Sequence, residues 1–291
     1  MIKLIKKHQA FSLIEISVVI VVIGILIAGI SKGVDLYRDF KIKTAQKLTI
    51  DSIVPRTTGL AMWLETTMPE SFNKNEQSIN SKITNWYDIN RQSLSKINFA
   101  QSTQSSKPTL QISSKNNLPM LFFDGVNDIL LSSRFIDRSE LTKNGDVTVF
   151  MLVDILSYPS VAILFKHSDG GDNRLALECN SNVLRFDYPN PSSGYLAGTN
   201  PFKINKNIII SATYNGAVQA IYIDGSLYAS KANTNAITKL NSRIAIASNV
   251  SPWYFAHANI GEIIIYDRAL SNSERQSVES YLAKKWDARL N

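Results

Sequence analysis

An uncharged apolar segment near the N-terminus constrains this chain more than any other feature. No residue from 16 to 30 is charged, and Ser17 is the only plainly polar one among them. Together with residues 11–14 the segment reaches about 20 residues, which is long enough to cross a bilayer as a helix. The leader before it contains three lysines, so the positive-inside rule keeps the leader in the cytoplasm and sends the C-terminus across the membrane.

A single carboxylate, Glu15, interrupts this apolar segment. A charged side chain inside a membrane segment costs roughly 2.5–3.5 kcal/mol on insertion scales, so such a residue is a candidate functional site. Two ordinary interpretations of the segment are a secretory signal peptide and a plain membrane anchor. Neither of them explains a carboxylate at this position.

The residues around Glu15 resemble the type IV prepilin signal, also called the class III signal. Residues 6–15 read KKHQAFSLIE. In that family the leader is removed after a small residue, the new first residue is commonly a methylated phenylalanine, and the fifth is a glutamate. The resemblance implies that prepilin peptidase cleaves between Ala10 and Phe11, and that Glu15 acts in assembly. Ala10 stands where the family most often has glycine.

The charge on the new N-terminus complements Glu15. A free amine on Phe11 has a pKa near 8 and is mostly charged at pH 7. Residues four apart share a helix face, and an ion pair at about 4 Å gains roughly 4 kcal/mol at an effective dielectric near 20. The pair can form within one chain or between neighbours. We expect the second, as the family implies, which makes other pilin subunits the partners of this chain.

The helix is predicted to continue beyond the membrane. Residues 32–54 place apolar side chains mostly at three- and four-residue spacings with charges between them, the pattern of an amphipathic helix. Pro55 should end it. The pattern is typical of a pilin filament core, or of a linker helix without a partner. We therefore divide the chain into a cleaved leader (1–10), a transmembrane and amphipathic helix (11–55) and a head (56–291).

The head reads as a mainly-β sandwich. Short apolar or alternating runs are separated by clusters of Asn, Ser, Gly and Pro, at spacings that favour an antiparallel sandwich or jelly roll. The predicted strands are 120–124, 146–155, 161–166, 174–178, 183–187, 208–214, 217–223, 242–247 and 258–266. Asn215-Gly216 and Asp224-Gly225 predict two-residue hairpin turns.

One short helix is predicted to close the chain. Ser271 and Glu274 have the spacing of a capping box. The apolar residues that follow share one helix face and should pack a tryptophan against the sandwich: Val278, Tyr281, Leu282 and Trp286.

Several head segments together resemble the laminin-G-like branch of the concanavalin A-like lectin/glucanase jelly rolls. They include WYD at 86–88, FDGVND at 123–128, GEIIIYDRALS at 261–271 and YLAKKW at 281–286, in that order. The resemblance covers nearly all of residues 60–287. It implies a fold rather than an activity.

The head lacks the sequence pattern of an enzyme. Glucanases of this fold use carboxylates at every second position of one strand, as in Glu-x-Asp-x-Glu, which aims them at one bound sugar. No such run is present, and Glu178 and Asp187 belong to different predicted strands. The single cysteine, Cys179, excludes an intrachain disulfide and a Cys₂His₂ or Cys₄ zinc site. We expect no enzymatic activity and no cofactor, apart from a possible Ca²⁺.

Candidate ligand-binding residues lie in three polar or aromatic loops. Carboxylates and amides suit Ca²⁺ but also suit tight turns, and exposed aromatic rings can stack on a sugar or cap the core. The candidates are Asp124, Asn127 and Asp128 in the first loop, Asp169, Asp172 and Asn173 in the second, and Trp253 and Tyr254 in the third.

The sequence thus predicts a type IV pilin-like subunit, either a minor pilin or a pseudopilin, whose head binds a glycan, a protein or a surface. Its expected location is the bacterial inner membrane, with the head in the periplasm or outside and the assembled protein in a pilus or pseudopilus. The rival hypothesis is a membrane-anchored lectin-like protein that does not polymerise. The net charge is +7, and the basic residues beyond the leader are scattered rather than clustered, so nucleic acid is not an expected partner.

Overall fold

The computed structural model describes residues 12–157, 160–170, 173–188, 195–235 and 240–291. The chain divides between Lys43 and Thr44 into two compact units. The boundary predicted from the sequence lies after residue 55. The division between the compact units comes earlier because Ala45 and Thr49, in the last turns of the first helix, are buried in the second unit.

The first helix, α1, comprises Leu13–Ile50. Within the described residues it is the one helix long and apolar enough to cross a membrane, and its apolar side chains from Leu13 to Ile30 are exposed. It ends at Ile50 rather than at Val54, and a short 3₁₀ turn, Val54–Arg56, follows. Pro55 has no N–H to donate to the carbonyl of Asp51 and restricts the residue before it, so the chain tightens ahead of the proline.

The second unit is built from short strands and one helix, α2 (Asn272–Trp286). In chain order the strands of the described residues are β1 (Leu60–Glu65), β2 (Asn85–Trp86), β3 (Phe99–Ala100), β4 (Thr109–Ile112), β5 (Pro119–Asp124), β6 (Leu130–Ser132), β7 (Ile136–Asp137), β8 (Val147–Ile155), β9 (Val161–Ser168), β10 (Arg174–Asn180), β11 (Val183–Asp187), β12 (Leu196–Ala197), β13 (Asn207–Tyr214), β14 (Val218–Ile223), β15 (Ser226–Ala232), β16 (Asn241–Ser242), β17 (Ile244–Ile246) and β18 (His257–Tyr266).

These strands form two large antiparallel sheets and a small third one. The first sheet has the order β15-β14-β13-β8-β18-β5-β4, with β1 also paired to β18. The second has the order β12-β11-β10-β9-β17-β6-β3-β2, and β16 pairs with β7. One apolar core lies between the large sheets and takes side chains from both, such as Ile210 and Phe186. The predicted mainly-β sandwich with a short C-terminal helix is confirmed.

Helix α2 covers the face of the first sheet that is turned away from this core. Along β13, Ile208, Ile210 and Ala212 belong to the core, so Ser211 lies on the opposite face because side chains alternate along a strand. The hydroxyl of Ser211 donates to Glu279 of α2 over 2.7 Å. The predicted capping box of Ser271 and Glu274 is present.

A buried ion-pair network joins α2 to the first sheet. The ammonium of Lys285 lies 2.6 Å from Glu65 Oε2 and 2.9 Å from Glu262 Oε2, and the three side chains have 0% exposure. Burial opposes the charges, but the attraction of Lys285 to the two carboxylates raises the pKa of Lys285, and its attraction to Glu65 lowers the pKa of Glu65. Tyr281 donates to Glu262 over 2.8 Å and lies 3.3 Å from Thr49 Oγ1. The last turn of α1 therefore belongs to the same buried network.

Two local predictions need correction. The Asn215-Gly216 turn is longer than two residues, because the last paired residues on either side of it are Tyr214 and Gln219. Within the turn the Asn215 side chain accepts hydrogen bonds from the amides of Ala217 and Val218. Predicted strand 242–247 is split at Arg243, because β16 pairs with β7 whereas β17 lies between β9 and β6. The Asp224-Gly225 turn does have two residues, with Ile223 paired to Ser226.

Candidate functional site

Glu15 lies in the first turn of α1. Its Oε2 accepts a hydrogen bond of 2.7 Å from the amide of Ser12, and the Ser12 hydroxyl accepts one of 3.2 Å from the amide of Glu15. Reciprocal bonds of this kind satisfy amides that a helix N-terminus leaves without partners. The predicted processing residues Ala10 and Phe11 lie outside the described residues, so cleavage between them stays a prediction.

The first predicted loop is a turn between β5 and β6 that is held by its own side chains. Asp124 Oδ1 accepts hydrogen bonds from the amides of Val126, Asn127 and Asp128 at 2.8, 3.0 and 3.2 Å. Asp128 is buried, with its Oδ1 3.5 Å from the ammonium of Lys82. Burial, followed by repulsion from Asp124, raises the pKa of Asp128 to about 6. These contacts are those of a stabilised turn.

The second predicted loop borders an open groove of about 330 Å³. Asp169 follows β9 and is exposed, Asn173 precedes β10, and Asp172 lies outside the described residues. The groove is lined by Phe135, Ser168, Asp169, Gly170, Asn241, Ser242, Arg243, Asn249, Val250 and Ser251. Across the described ranges, no group of three or more His, Cys, Asp or Glu residues is placed to hold a metal ion. Ca²⁺ binding in these loops stays a prediction.

The third predicted loop presents two aromatic rings on a fixed backbone. Trp253 is 69% exposed and Tyr254 is 54% exposed. The carbonyl of Trp253 accepts hydrogen bonds from Ser248 Oγ and from the amide of Asn249, both over 3.0 Å. The carbonyl of Tyr254 accepts one of 3.0 Å from the amide of Ile163. Tyr254 therefore lies beside β9 in the position that a neighbouring strand would occupy.

Strand pairing assembles a charged cluster that the sequence analysis missed. Lys166 on β9 faces Ala176 on β10, which faces Asp187 on β11. In the next row Glu178 on β10 faces Arg185 on β11. Directly opposed residues share one face of an antiparallel pair. Because the intervening residues of β10 and β11 lie in the core, these charged side chains lie on the outer face of the second sheet.

The charged side chains of this cluster have very little solvent exposure. Asp187 is 1% exposed, Glu178 4% and Lys166 8%. The ammonium of Lys166 lies 3.3 Å from Glu178 Oε1, and Asp187 lies 3.6 Å from Arg174 Nη1 and 3.7 Å from Arg185 Nη2. Burial, followed by repulsion from Glu178, raises the pKa of Asp187 to about 6.

An exposed aromatic ring covers one side of the cluster. Tyr195 is 48% exposed, and the guanidinium carbon of Arg185 lies 3.4 Å from the centre of its ring. On the other side, Glu178 faces Ile163 on β9, whose amide binds the Tyr254 loop. Adjacent strands are about 4.8 Å apart. The backbone of the predicted residue Tyr254 is thus hydrogen-bonded to the β9 residue that faces Glu178.

A signal for this cluster does exist in the sequence. Charged residues fall at even spacings on both sides of a short turn, with Arg174 and Glu178 four apart on one strand and Arg185 and Asp187 two apart on the other. A hairpin places such residues on one face. Glu178 and Asp187 are set aside in the sequence analysis because they belong to different predicted strands, but the pairing of β10 with β11 brings both to one face.

Comparison with known proteins identifies both parts of the chain. Residues 5–31 match the family model of the prokaryotic N-terminal methylation motif. Residues 132–274 match the laminin-G-type model of the concanavalin A-like lectin/glucanases superfamily. The predicted type IV prepilin segment and concanavalin A-like domain are thereby confirmed. No curated protein matches the chain in sequence.

Solved structures with the same fold include a Trypanosoma rangeli sialidase in complex with sialic acid. It is 18% identical, with a TM-score of 0.55 over 78% of this chain and 33% of the sialidase chain. Another is botulinum neurotoxin type C, whose cell entry depends upon interaction with two ganglioside molecules. It is 11% identical, with a TM-score of 0.56 over 79% of this chain and 53% of the toxin chain. This chain therefore spans about a third of the sialidase and half of the toxin, and the likeness shows the fold alone.

Proposed function

We propose that this chain is a type IV pilin-like filament subunit, a minor pilin or a pseudopilin, whose β-sandwich head mediates binding or adhesion. The observation that carries the proposal is the methylation motif at residues 5–31, which leads directly into the exposed apolar helix α1. Prepilin peptidase would remove residues 1–10, leaving Phe11 as an N-methylated first residue in the inner membrane.

Glu15 is the residue through which a subunit would enter the filament. It lies in an apolar segment, where an unpaired carboxylate is costly. The methylated amine of an incoming subunit would neutralise it, and the ion pair would offset much of that cost. The hydrogen bond from the Ser12 amide leaves a carboxylate free to accept further donors, since it has about four acceptor sites.

The head would act on the far side of the inner membrane, in the periplasm or outside the cell. Its concanavalin A-like fold is shared with a sialidase solved with sialic acid and with a toxin that interacts with gangliosides. That likeness supports a glycan as one class of ligand, and the exposed rings of Trp253, Tyr254 and Tyr195 offer surfaces on which a sugar could stack. The proposal assigns no catalytic step to the head.

The assembly role is tested by Glu15→Ala in the native host. We expect normal membrane insertion and at least a tenfold loss of the protein from sheared filaments, measured by quantitative immunoblotting. Asp35→Ala is the matched control, because it removes a carboxylate from α1 outside the apolar segment and should leave assembly unchanged. Normal assembly of the Glu15 variant would overturn the assigned role. Wild-type protein that stays in the membrane and never enters a filament would favour the anchored lectin-like alternative.

A further inference from the structure

The open groove beside the second predicted loop contains a guanidinium without a partner. Arg243 lines this groove of about 330 Å³ and is partly buried. Its carbonyl accepts a hydrogen bond of 3.1 Å from Ser242 Oγ, but within the described ranges its guanidinium has no hydrogen-bond or ion-pair partner. A guanidinium carries its N–H donors in a flat fork that matches the two oxygens of a carboxylate. The groove therefore offers a binding position for a carboxylate from another molecule.

Strand pairing on both sides holds the backbone of Arg243 in place. The residue before it, Ser242, faces Ile136 on β7, and the residue after it, Ile244, faces His167 on β9. The imidazole of His167 in turn lies 3.0 Å from the carbonyl of Ile136, so the two neighbouring strands are joined to each other. A cation on a fixed backbone loses little freedom when a ligand binds, which favours affinity.

Apolar side chains border the same groove. Phe135 is 62% exposed, and its carbonyl accepts a hydrogen bond of 3.2 Å from Arg134, which also pairs with Glu140 over 2.6 Å. Val250 lines the groove from the loop after β17, where its amide donates to Asn249 Oδ1 over 2.9 Å. The branched side chain of Val250 has no flat face on which a sugar ring could stack. These two residues therefore suit an apolar side chain better than a sugar.

Asp169 restricts the charge of a ligand in this groove. It lines the groove and is exposed. A carboxylate repels a ligand that carries several negative charges, but it accepts hydrogen bonds from N–H groups. A peptide has backbone N–H groups beside every side chain. A peptide with one carboxylate and an apolar neighbour can thus satisfy Arg243, Phe135 and Asp169 together, whereas an inorganic phosphate ion can satisfy only Arg243.

We infer that this groove binds a peptide segment of a partner protein through one carboxylate, which Arg243 holds by paired hydrogen bonds. Phe135 and Val250 contact a neighbouring apolar side chain of the peptide. The carboxylate belongs either to an acidic side chain or to the C-terminus of the partner. The inference rests on the proposed function, since it gives the binding head a ligand class and a site.

The test measures peptide binding by the full chain in a zwitterionic detergent. The first pool of probes is acetylated and amidated hexapeptides that have a glutamate at a central position and neutral residues elsewhere. The second pool has glutamine in place of the glutamate, and the third is the glutamine pool with a free C-terminal carboxylate. Retained peptides are identified by mass spectrometry. We expect one of the carboxylate pools to be retained at least about tenfold more than the neutral pool, because charge-assisted bonds to a guanidinium are strong. The pool that is retained identifies the source of the carboxylate.

The best retained peptide is then titrated against variants by fluorescence polarisation. Arg243→Gln should weaken its binding at least about tenfold, and Arg243→Lys should weaken it less, because lysine keeps the charge but not the fork. Phe135→Ala should weaken it at least about threefold through the lost apolar contact. Arg91→Gln is the matched control, since the Arg91 side chain is 79% exposed and does not line this groove. We expect the control to bind as the wild type does.

Thermal unfolding checks that each variant is folded. Arg243 is only partly buried and Phe135 is exposed, so both variants should fold; if Arg243→Gln does not, Phe135→Ala decides the outcome. Three results would overturn the inference: neither carboxylate pool is retained above the neutral pool, Arg243→Gln and Phe135→Ala bind as well as the wild type, or Arg91→Gln loses as much affinity as Arg243→Gln. An albumin conjugate of glucuronic acid that binds through Arg243 when no peptide pool does would also overturn it, because the ligand would then be an acidic sugar.

Filament assembly of the wild type and of the same variants is scored separately. Normal assembly without selection for a carboxylate would remove the inference and leave the proposed function standing. Failure of the wild type to assemble, together with peptide binding that depends on Arg243, would remove the assembly role and leave the groove as a peptide site.

Discussion

Lys285 of α2 and Glu65 of β1 form an ion pair of 2.6 Å in which neither side chain is exposed. The same ammonium binds Glu262 of β18, so one cation holds the C-terminal helix to two strands. Through Tyr281 and Thr49 the network also reaches the last turn of α1. All of these residues belong to the second compact unit, so the network stabilises that unit.

Removing Lys285 should therefore destabilise the head strongly. Lys285→Met leaves two buried carboxylates without their cation, and we expect a loss of about 3–5 kcal/mol in the free energy of unfolding. Urea denaturation followed by tryptophan fluorescence measures it. Arg91→Met is the control, because the Arg91–Glu70 pair is exposed and should contribute less than about 1 kcal/mol. Equal losses in the two variants would contradict a structural role for the buried network.

The raised pKa of Asp187 should make the head more stable at pH 5 than at pH 7.5. Its pKa is raised to about 6 in the folded protein from an ordinary value of 3.8, first by burial and then by Glu178. The folded state thus holds an extra proton between these values, and stability falls as pH rises through 6. Between pH 5 and 7.5 this amounts to about 1.4 kcal/mol.

The measurement is the difference in pH dependence between the wild type and Asp187→Asn. His167 acts in the opposite direction, because burial lowers its pKa to about 4, but it is common to both proteins. We expect the wild type to lose about 1.4 kcal/mol more than the variant between pH 5 and 7.5. Glu178→Gln should reduce that difference. Identical pH profiles for the wild type and Asp187→Asn would rule out a raised pKa at Asp187.

A side chain at Gly261 should destabilise the head. A Cβ atom there would lie 2.8 Å from Trp286 Cη2 and 2.9 Å from Leu152 Cδ2, and both residues are buried. We expect Gly261→Ala to cost about 1–3 kcal/mol through overpacking. Gly33→Ala is the control, since a Cβ there meets nothing within 4 Å and alanine favours a helix. Differential scanning calorimetry should show a lower Tm for the first variant only.

The features that could be predicted from the sequence are the local ones. The cap of α2, its buried residues Val278 and Trp286 and the Asp224-Gly225 turn each depend on residues a few positions apart. The Lys285 network could not be predicted, because Glu65 and Lys285 come together only through the pairing of β1 with β18. The Asp187 cluster could be predicted only in part. The spacing of its charged residues along each strand is visible in the sequence, but the register in which β9, β10 and β11 pair is not. The end of α1 was placed four residues too late, since Pro55 acts on the turn before it.

The central claim is that this chain is processed as a prepilin. The most direct test is mass spectrometry of the mature N-terminus of protein taken from its native membrane. The account predicts a chain that begins at N-methylated Phe11. A chain that begins shortly after residue 30 would indicate a conventional signal peptide and a secreted head, and a chain that still begins at Met1 would indicate a plain membrane anchor; either result would contradict it.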